Sequence, residues 1–247
     1  MAGGDGIGAR LLEALGPAYV INLPQRADRR RGLEAELRRV GLSLSHPGVR
    51  LVAAIRPADP GPFTAIGIRG CFESHLAVLR LIAESAAPSG LIVEDDMGFH
   101  RAAEARLGTL LPGLGRTGWD IFYGYLDGTN RPEGVAAGLA RIAPGDHVRR
   151  THFMAVRREA AQTILPYLEA IAARPAGHPQ GGAMHVDGAY SWCREAHPGL
   201  RTLAARPDIA VQRPSRSDIA AQPWFDRVPG LAVAVDLARG WKHRLRG

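Results

Sequence analysis

Short apolar runs alternate with segments of helical period through the first half of the chain, and this alternation restricts the fold more than any other feature. The run AYVINL (18–23) reads as a strand; after the turn PQRAD, the segment RRRGLEAELRRVG repeats Leu33, Leu37 and Val40 at helical spacing, with Gly41 as a stop. A second strand, VRLVAAI, covers 49–55. Cys71, His75, Leu79 and Ile82 then share one stripe of a helix over 70–85, and SGLIVEDD follows as a buried strand with an abruptly acidic end. A helix over 101–111 leads to the strand WDIFYGY (119–125). Repeated β-α alternation predicts an α/β fold: a mostly parallel, Rossmann-like sheet with helices on both faces.

Beyond Pro132 the pattern loosens. VRRTHFMAV (148–156) reads as a strand, and RREAAQTILPYLEAIAAR as a helix bent or restarted at Pro166, which removes an amide donor. MHVDGAYSWCREA follows a Gly/Pro-rich loop, two short strand-like pieces come after Pro198, and the chain closes on a helical segment with a basic end, Arg239, Lys242, Arg244 and Arg246. No repeat, heptad run or composition break marks a linker, so one domain is expected. Gly4, Gly6 and Gly8 have no preceding strand and lack the GxGxxG spacing, so they read as a frayed terminus.

Composition excludes several classes. At 247 residues and 46% apolar content the chain can bury a full core, which rules out disordered and collagen-like chains. The net charge is +7, yet every basic residue except Lys242 is arginine, which points to compositional bias rather than selection for phosphate backbones. With 6% aromatics and no RNP motif, zinc finger or recognition helix, no nucleic-acid partner is expected. The two cysteines, Cys71 and Cys193, match no CxxC spacing, so free thiols and no structural zinc are expected. The start lacks a secretory pattern and no run approaches the roughly 18 apolar residues of a membrane span, which predicts a soluble, cytoplasmic protein.

The chemistry concentrates in LIVEDDMGF. Glu94, Asp95 and Asp96 follow three aliphatic residues, placing them where a buried strand emerges at the carboxyl edge of the sheet, the edge at which α/β sheets bind ligands. If the extended backbone continues, Glu94 and Asp96 point to one side and Asp95 to the other. Two carboxylates on one side suit Mg²⁺ or Mn²⁺. A solvated acidic loop, or acids at a helix N-terminus, is the other reading.

Three ordered blocks resemble the family 25 glycosyltransferases, which include bacterial lipooligosaccharide galactosyltransferases and animal collagen galactosyltransferases. They are INLPQRADR, with Asn22, Leu23, Arg26, Asp28 and Arg29; GIRGCFESH, with Gly67, Gly70, Cys71, Ser74 and His75; and the strand ending in Glu94, Asp95 and Asp96. Weaker likeness continues through THFMAVRREAAQTIL, HVD with Asp187, and VQRPSRSDI. The chain departs from the family pattern at Ile68 and Arg69, and at His185 where the family has proline.

The resemblance implies a GT-A-like domain over 17–222, with 1–16 as an N-terminal extension and 223–247 as a segment carrying a basic amphipathic helix. It implies a metal-dependent, inverting transfer of a hexose, galactose by family, from a UDP-sugar to a saccharide or lipid-linked saccharide. Glu94 and Asp96 would hold Mn²⁺ or Mg²⁺; Asn22, Arg26, Arg29, Ser74, His75 and Asp95 would bind the donor; Asp187 would be the general base. Other roles stay open: Asp187 as a helix cap, His75 as a core histidine, Cys71 as packing, and His185 or His243 as a third metal ligand. A metal-dependent phosphohydrolase or nucleotidyltransferase, or a silent sugar-nucleotide-binding module, would also use these residues. The terminal helix either closes the domain or lies on the anionic inner face of a membrane.

Overall fold

The computed structural model describes residues 6–127 and 133–213. The element order is α1 (Ile7–Leu15), β1 (Ala18–Asn22), α2 (Ala27–Arg38), β2 (Val49–Ala53), α3 (Ile66–Glu84), β3 (Ser89–Glu94), β4 (Met97–Phe99) and α4 (Ala103–Arg116). It continues with β5 (Ile121–Tyr123), β6 (Glu133–Ala136), β7 (Leu139–Ile142), β8 (Phe153–Arg157), α5 (Arg158–Ala173), α6 (Val186–Ala196), β9 (Thr202–Ala205) and β10 (Ala210–Gln212).

Eight strands form one sheet in the order β2-β1-β3-β8-β5-β9-β7-β6. Six of them point the same way, and β8 and β7 run against their neighbours. The expected α/β architecture is therefore present, with antiparallel pairing introduced by the loosely patterned second half. The reversal of β8 matters for function: its first residues, not its last, lie at the carboxyl edge of β1 and β3.

Strand alternation divides the core into two layers. Ala18, Val20, Leu91, Val93, Phe153 and Ala155 face α1, α2 and α4, where Leu11, Leu33, Leu37 and Leu107 meet them. Tyr19, Ile21, Ile92, Met154 and Val156 face α3, α5 and α6, against Phe72, Leu79, Ile164 and Tyr190. Helices on both faces explain why β1 and β3 are almost wholly apolar, because neither face meets water.

Several elements differ from expectation. From Gly6 onward the N-terminal glycine segment is not frayed, since α1 buries Leu11 and Leu15 and Gly8 lies against the Val40 carbonyl; Gly4 lies outside the described residues. Pro166 does not interrupt α5. Loss of one amide and a ring clash cost about 3 kcal/mol, and fully burying Ile164, Leu168 and Ile171 at about 1.5–3 kcal/mol each outweighs it. α4 likewise continues past Pro112. Gly41 ends the α2 region at φ 78°, as its stop role predicts. The segment 223–247, its basic helix and His243 lie outside the described residues, as do Ser215, Ser217 and Asp218. No described helix is long and apolar enough to cross a membrane.

Candidate active site

The three acids do not follow strand alternation to the end, because β3 stops at Glu94 and the chain turns at Asp95 and Asp96 before β4. β4 pairs with β10 in a separate two-stranded sheet, with Met97 opposite Gln212. The turn sends the three carboxylates in three directions while keeping all of them on one cleft of about 410 Å³.

Asp95 points toward β1 and α2. Asn22 donates to its Oδ2 at 2.8 Å and Arg29 to its Oδ1 at 2.9 Å. These partners come from the end of β1 and the first turn of α2, so the first motif organises the third. Glu94 continues the alternation of β3 and points toward α3. Its Oε1 accepts from Thr151 Oγ1 at 2.9 Å and lies 3.3 Å from His75 Nε2. Burial opposes ionisation of Glu94, but the hydrogen bond and charge of His75 outweigh it and hold the carboxyl below its usual range.

Asp96 points toward β10, where Gln212 Nε2 donates to Oδ2 at 2.8 Å. Its Oδ1 is buried and has no hydrogen-bond partner among the described residues. Burial first, and then the charge of Glu94, push the Asp96 carboxyl up to about 6. An orphaned buried carboxylate oxygen beside a like charge is what a hard divalent cation neutralises, so Asp96 offers a ligand for the expected ion, and the charge of Glu94 is felt there. Arg213 braces the turn: its backbone amide donates to the Asp96 carbonyl at 2.7 Å, and its guanidinium to the carbonyls of Asp95 and Met97 at 2.6 and 2.9 Å.

The second motif builds the opposite wall. His75 is fully buried on α3, with Nδ1 3.4 Å from the Tyr190 hydroxyl and Nε2 facing Glu94, so it serves the site and the core together. Ser74 does not aim its hydroxyl at open space. It accepts from the Ile55 amide at 2.8 Å and donates to the Gly70 carbonyl at 2.6 Å. Gly70 permits this approach, since a Cβ there would lie 2.6 Å from the Ile55 carbonyl oxygen. Together they pin the loop after β2, which brings Arg56 to the cleft. Arg56 is exposed and makes no hydrogen bond or ion pair with any described residue.

The remaining expected residues are dispersed. Arg29 lines the cleft, whereas Arg26 does not and pairs with Asp28 at 2.9 Å. Asp187 also lies outside the lining, in the first turn of α6, where it accepts from the amides of Arg150 at 3.0 Å and Gly188 at 2.8 Å. Arg150 is the one described non-glycine residue at positive φ, 70°, so Asp187 holds a strained backbone in the segment that leads into β8. His185, on the exposed side of that turn, is not among the cleft residues.

Sequence reasoning missed Arg56, Gln212, Thr151 and His152. Gln212 had a signal, the VQRP element. His152 had a weaker one, a histidine at the head of an apolar strand. Its ring is 1% exposed, and neither nitrogen has a hydrogen-bond partner among the described residues. Burial, then Arg150, lower its pKa to about 4 against the opposing pull of Glu94. Cys71 also lines the cleft, one helical turn before His75, and burial followed by the Glu94 charge pushes its thiol well up.

No protein-family profile matches the chain, and no curated protein matches it. Among solved structures it is similar to a glycosyltransferase involved in the glycosylation of the major capsid of PBCV-1, at 11% identity and TM-score 0.47, covering 81% of this chain and 93% of that one. It is also similar to a mannose-1-phosphate geranyltransferase from Thermus thermophilus, at 15% identity and TM-score 0.38, covering 82% of this chain and 64% of that one. Likeness at these scores carries no activity across. The cleft itself has to carry the functional reading.

Proposed function

We propose that the chain is a metal-dependent glycosyltransferase that moves a hexose from a UDP-sugar to a saccharide or lipid-linked saccharide hydroxyl, with galactose the first donor to test and inversion the expected outcome. One observation carries the reading. Leu23 and Arg29, then Gly67, Gly70, Cys71, Ser74 and His75, then Glu94, Asp95 and Asp96, and Gln212 stand up to about 190 positions apart in sequence, yet all line one cleft at the carboxyl edge of the sheet. In this reading the sheet acts as a GT-A-like nucleotide-binding sheet.

Glu94 and Asp96 would hold Mn²⁺ or Mg²⁺, which supplies Lewis-acid stabilisation of the departing diphosphate. The chain's own residues do the rest. Arg56 meets the diphosphate with charge-assisted hydrogen bonds, while Arg29 and Asn22 keep Asp95 turned away from the phosphates. Arg26, paired with Asp28, supports the start of α2. The acceptor oxygen forms a bond to the anomeric carbon as the bond to the diphosphate oxygen breaks, and the acceptor proton passes to a base. Asp187 is proposed as that base from its place in the HVD element; in the structure its carboxylate accepts the Arg150 and Gly188 amides outside the cleft lining.

A screen of UDP-sugars with Mn²⁺ and Mg²⁺, read first by thermal shift and then by UDP release, tests the reading. The correct donor raises the melting temperature by mass action, and UDP release requires an added sugar acceptor. Equal release with water alone would favour a phosphohydrolase. Stabilisation without turnover on any acceptor would favour a binding module. Turnover unchanged in Asp96→Ala would remove the metal assignment.

A further inference from the structure

Cys71 and His75 stand four residues apart on α3, so their side chains leave the same face of the helix. β3 ends with Glu94 turned toward that face. A Cys71 Sγ, a His75 ring nitrogen and a Glu94 carboxylate oxygen all lie within 4.8 Å of one another. We propose that these three side chains form a binding site for a thiophilic divalent cation of the zinc class, separate from the hard-cation position at Asp96 and sharing Glu94 with it.

Donor chemistry separates the two positions. Thiolate and imidazole select borderline-soft ions, whereas Asp96 with its orphaned oxygen offers only hard donors. A tetrahedral zinc ion with bonds of about 2.0–2.3 Å needs ligand atoms roughly 3.3–3.8 Å apart. His75 Nε2 and Glu94 Oε1 already stand at 3.3 Å, a long distance for a hydrogen bond and a fitting one for two ligands of one ion. The surrounding groups match a metal site as well. The Tyr190 hydroxyl lies 3.4 Å from His75 Nδ1, where it accepts the ring N–H once Nε2 becomes a ligand, and Thr151 orients Glu94 at 2.9 Å.

Three protein ligands leave a fourth position open to the cleft that all three residues line. On binding, a sulfur–metal bond forms, the Cys71 thiol loses its proton to solvent, and no electron is transferred. The ion's two positive charges offset the Cys71 thiolate and the Glu94 carboxylate. Because Glu94 serves both positions, a zinc-class ion competes with Mn²⁺ or Mg²⁺ for the cleft and acts as an inhibitor of metal-dependent activity there. The site itself does not depend on the sugar-transfer reading.

Titration with Co²⁺ alone tests the proposal. A thiolate-to-cobalt charge-transfer band should appear in the wild type, vanish in Cys71→Ser and His75→Gln, and persist in Asp96→Asn. A parallel measurement on the wild type avoids any folding defect. Saturating Zn²⁺ should slow alkylation of Cys71 at least tenfold, with fully buried Cys193 as the internal reference. Cobalt binding without a thiolate band, a band that survives Cys71→Ser, or an alkylation rate unchanged by Zn²⁺ would overturn it. Donor-dependent UDP release by the wild type with Mn²⁺ and without zinc is read in a separate assay, so failure here and failure of the transferase reading are separately visible.

Discussion

Ser74→Ala tests how the cleft is assembled. Ser74 Oγ accepts the Ile55 amide at 2.8 Å and is 1% exposed, so its removal leaves that amide without its acceptor. A buried group left unsatisfied costs about 1–3 kcal/mol. Ile55 is 38% exposed, so water recovers part of this loss and the low end of that range, about 1–1.5 kcal/mol by the same measure, is expected. For a domain this size that corresponds to a fall in melting temperature of about 2–6 °C. The released loop carries Arg56, whose proposed charge-assisted contact to a diphosphate would be worth about 1.5–3 kcal/mol. Partial displacement should weaken UDP binding roughly threefold to tenfold, at about 1.4 kcal/mol per tenfold. Differential scanning fluorimetry and calorimetric titration of UDP with Mn²⁺ would read the two effects. Gly70→Ala should act in the same direction and more strongly, because its Cβ meets the Ile55 carbonyl oxygen at 2.6 Å. A lower melting temperature with unchanged UDP affinity would refute the positioning role, and no change in either would refute the weight given to the hydrogen bond.

Arg56→Ala should reduce UDP affinity by about tenfold or more with no loss of stability, since Arg56 is exposed and bonded to no described residue; titration and fluorimetry together check both halves. Asp187→Asn should lower kcat by about 10²–10⁴ if the carboxylate is the base, whereas a lower melting temperature with normal kcat would assign it only to the Arg150 backbone. Asp120 lies away from the cleft. Burial opposes its ionisation, but Arg201 outweighs this through hydrogen bonds at 2.8, 2.9 and 3.0 Å, leaving the folded pKa below the ordinary value of 3.8. A lowered carboxylate pKa stabilises the folded chain above the unfolded value, and that gain disappears as pH falls through the folded value. Asp120→Asn should therefore lower stability at pH 7 by about 1 kcal/mol or less, and this difference should shrink as pH falls below the ordinary 3.8, as denaturant midpoints across that range would show.

The strands and helices of the first half were legible because both faces of the sheet are covered, which forces unbroken apolar runs such as LIV at 91–93, while each helix keeps a periodic stripe. The second half was harder to read. β6 and β7 are short, β6 is an exposed edge strand whose apolar signal is blurred, and the reversal of β8 has no signature within its own residues. At the site, the acidic strand end and the GCxxSH helix could be recognised from order and spacing, and both line the cleft.

The directions of the site residues could not be read in the same way. Alternation would have paired Glu94 with Asp96 against Asp95, yet the turn after Glu94 gives each acid its own partners: His75 and Thr151, Asn22 and Arg29, and Gln212. Arg56 had no local pattern, because its importance comes from Ser74 and Gly70 pulling a neighbouring loop against α3. Local sequence carries periodicity and residue chemistry, so by itself it determined the α/β class and the motif blocks on which the site is built. Which oxygen is left without a partner, which cation faces the cleft, and how Cys71, His75 and Glu94 meet depend on contacts between distant positions, such as Asp96 and Gln212, 116 positions apart, and those only the tertiary structure decided.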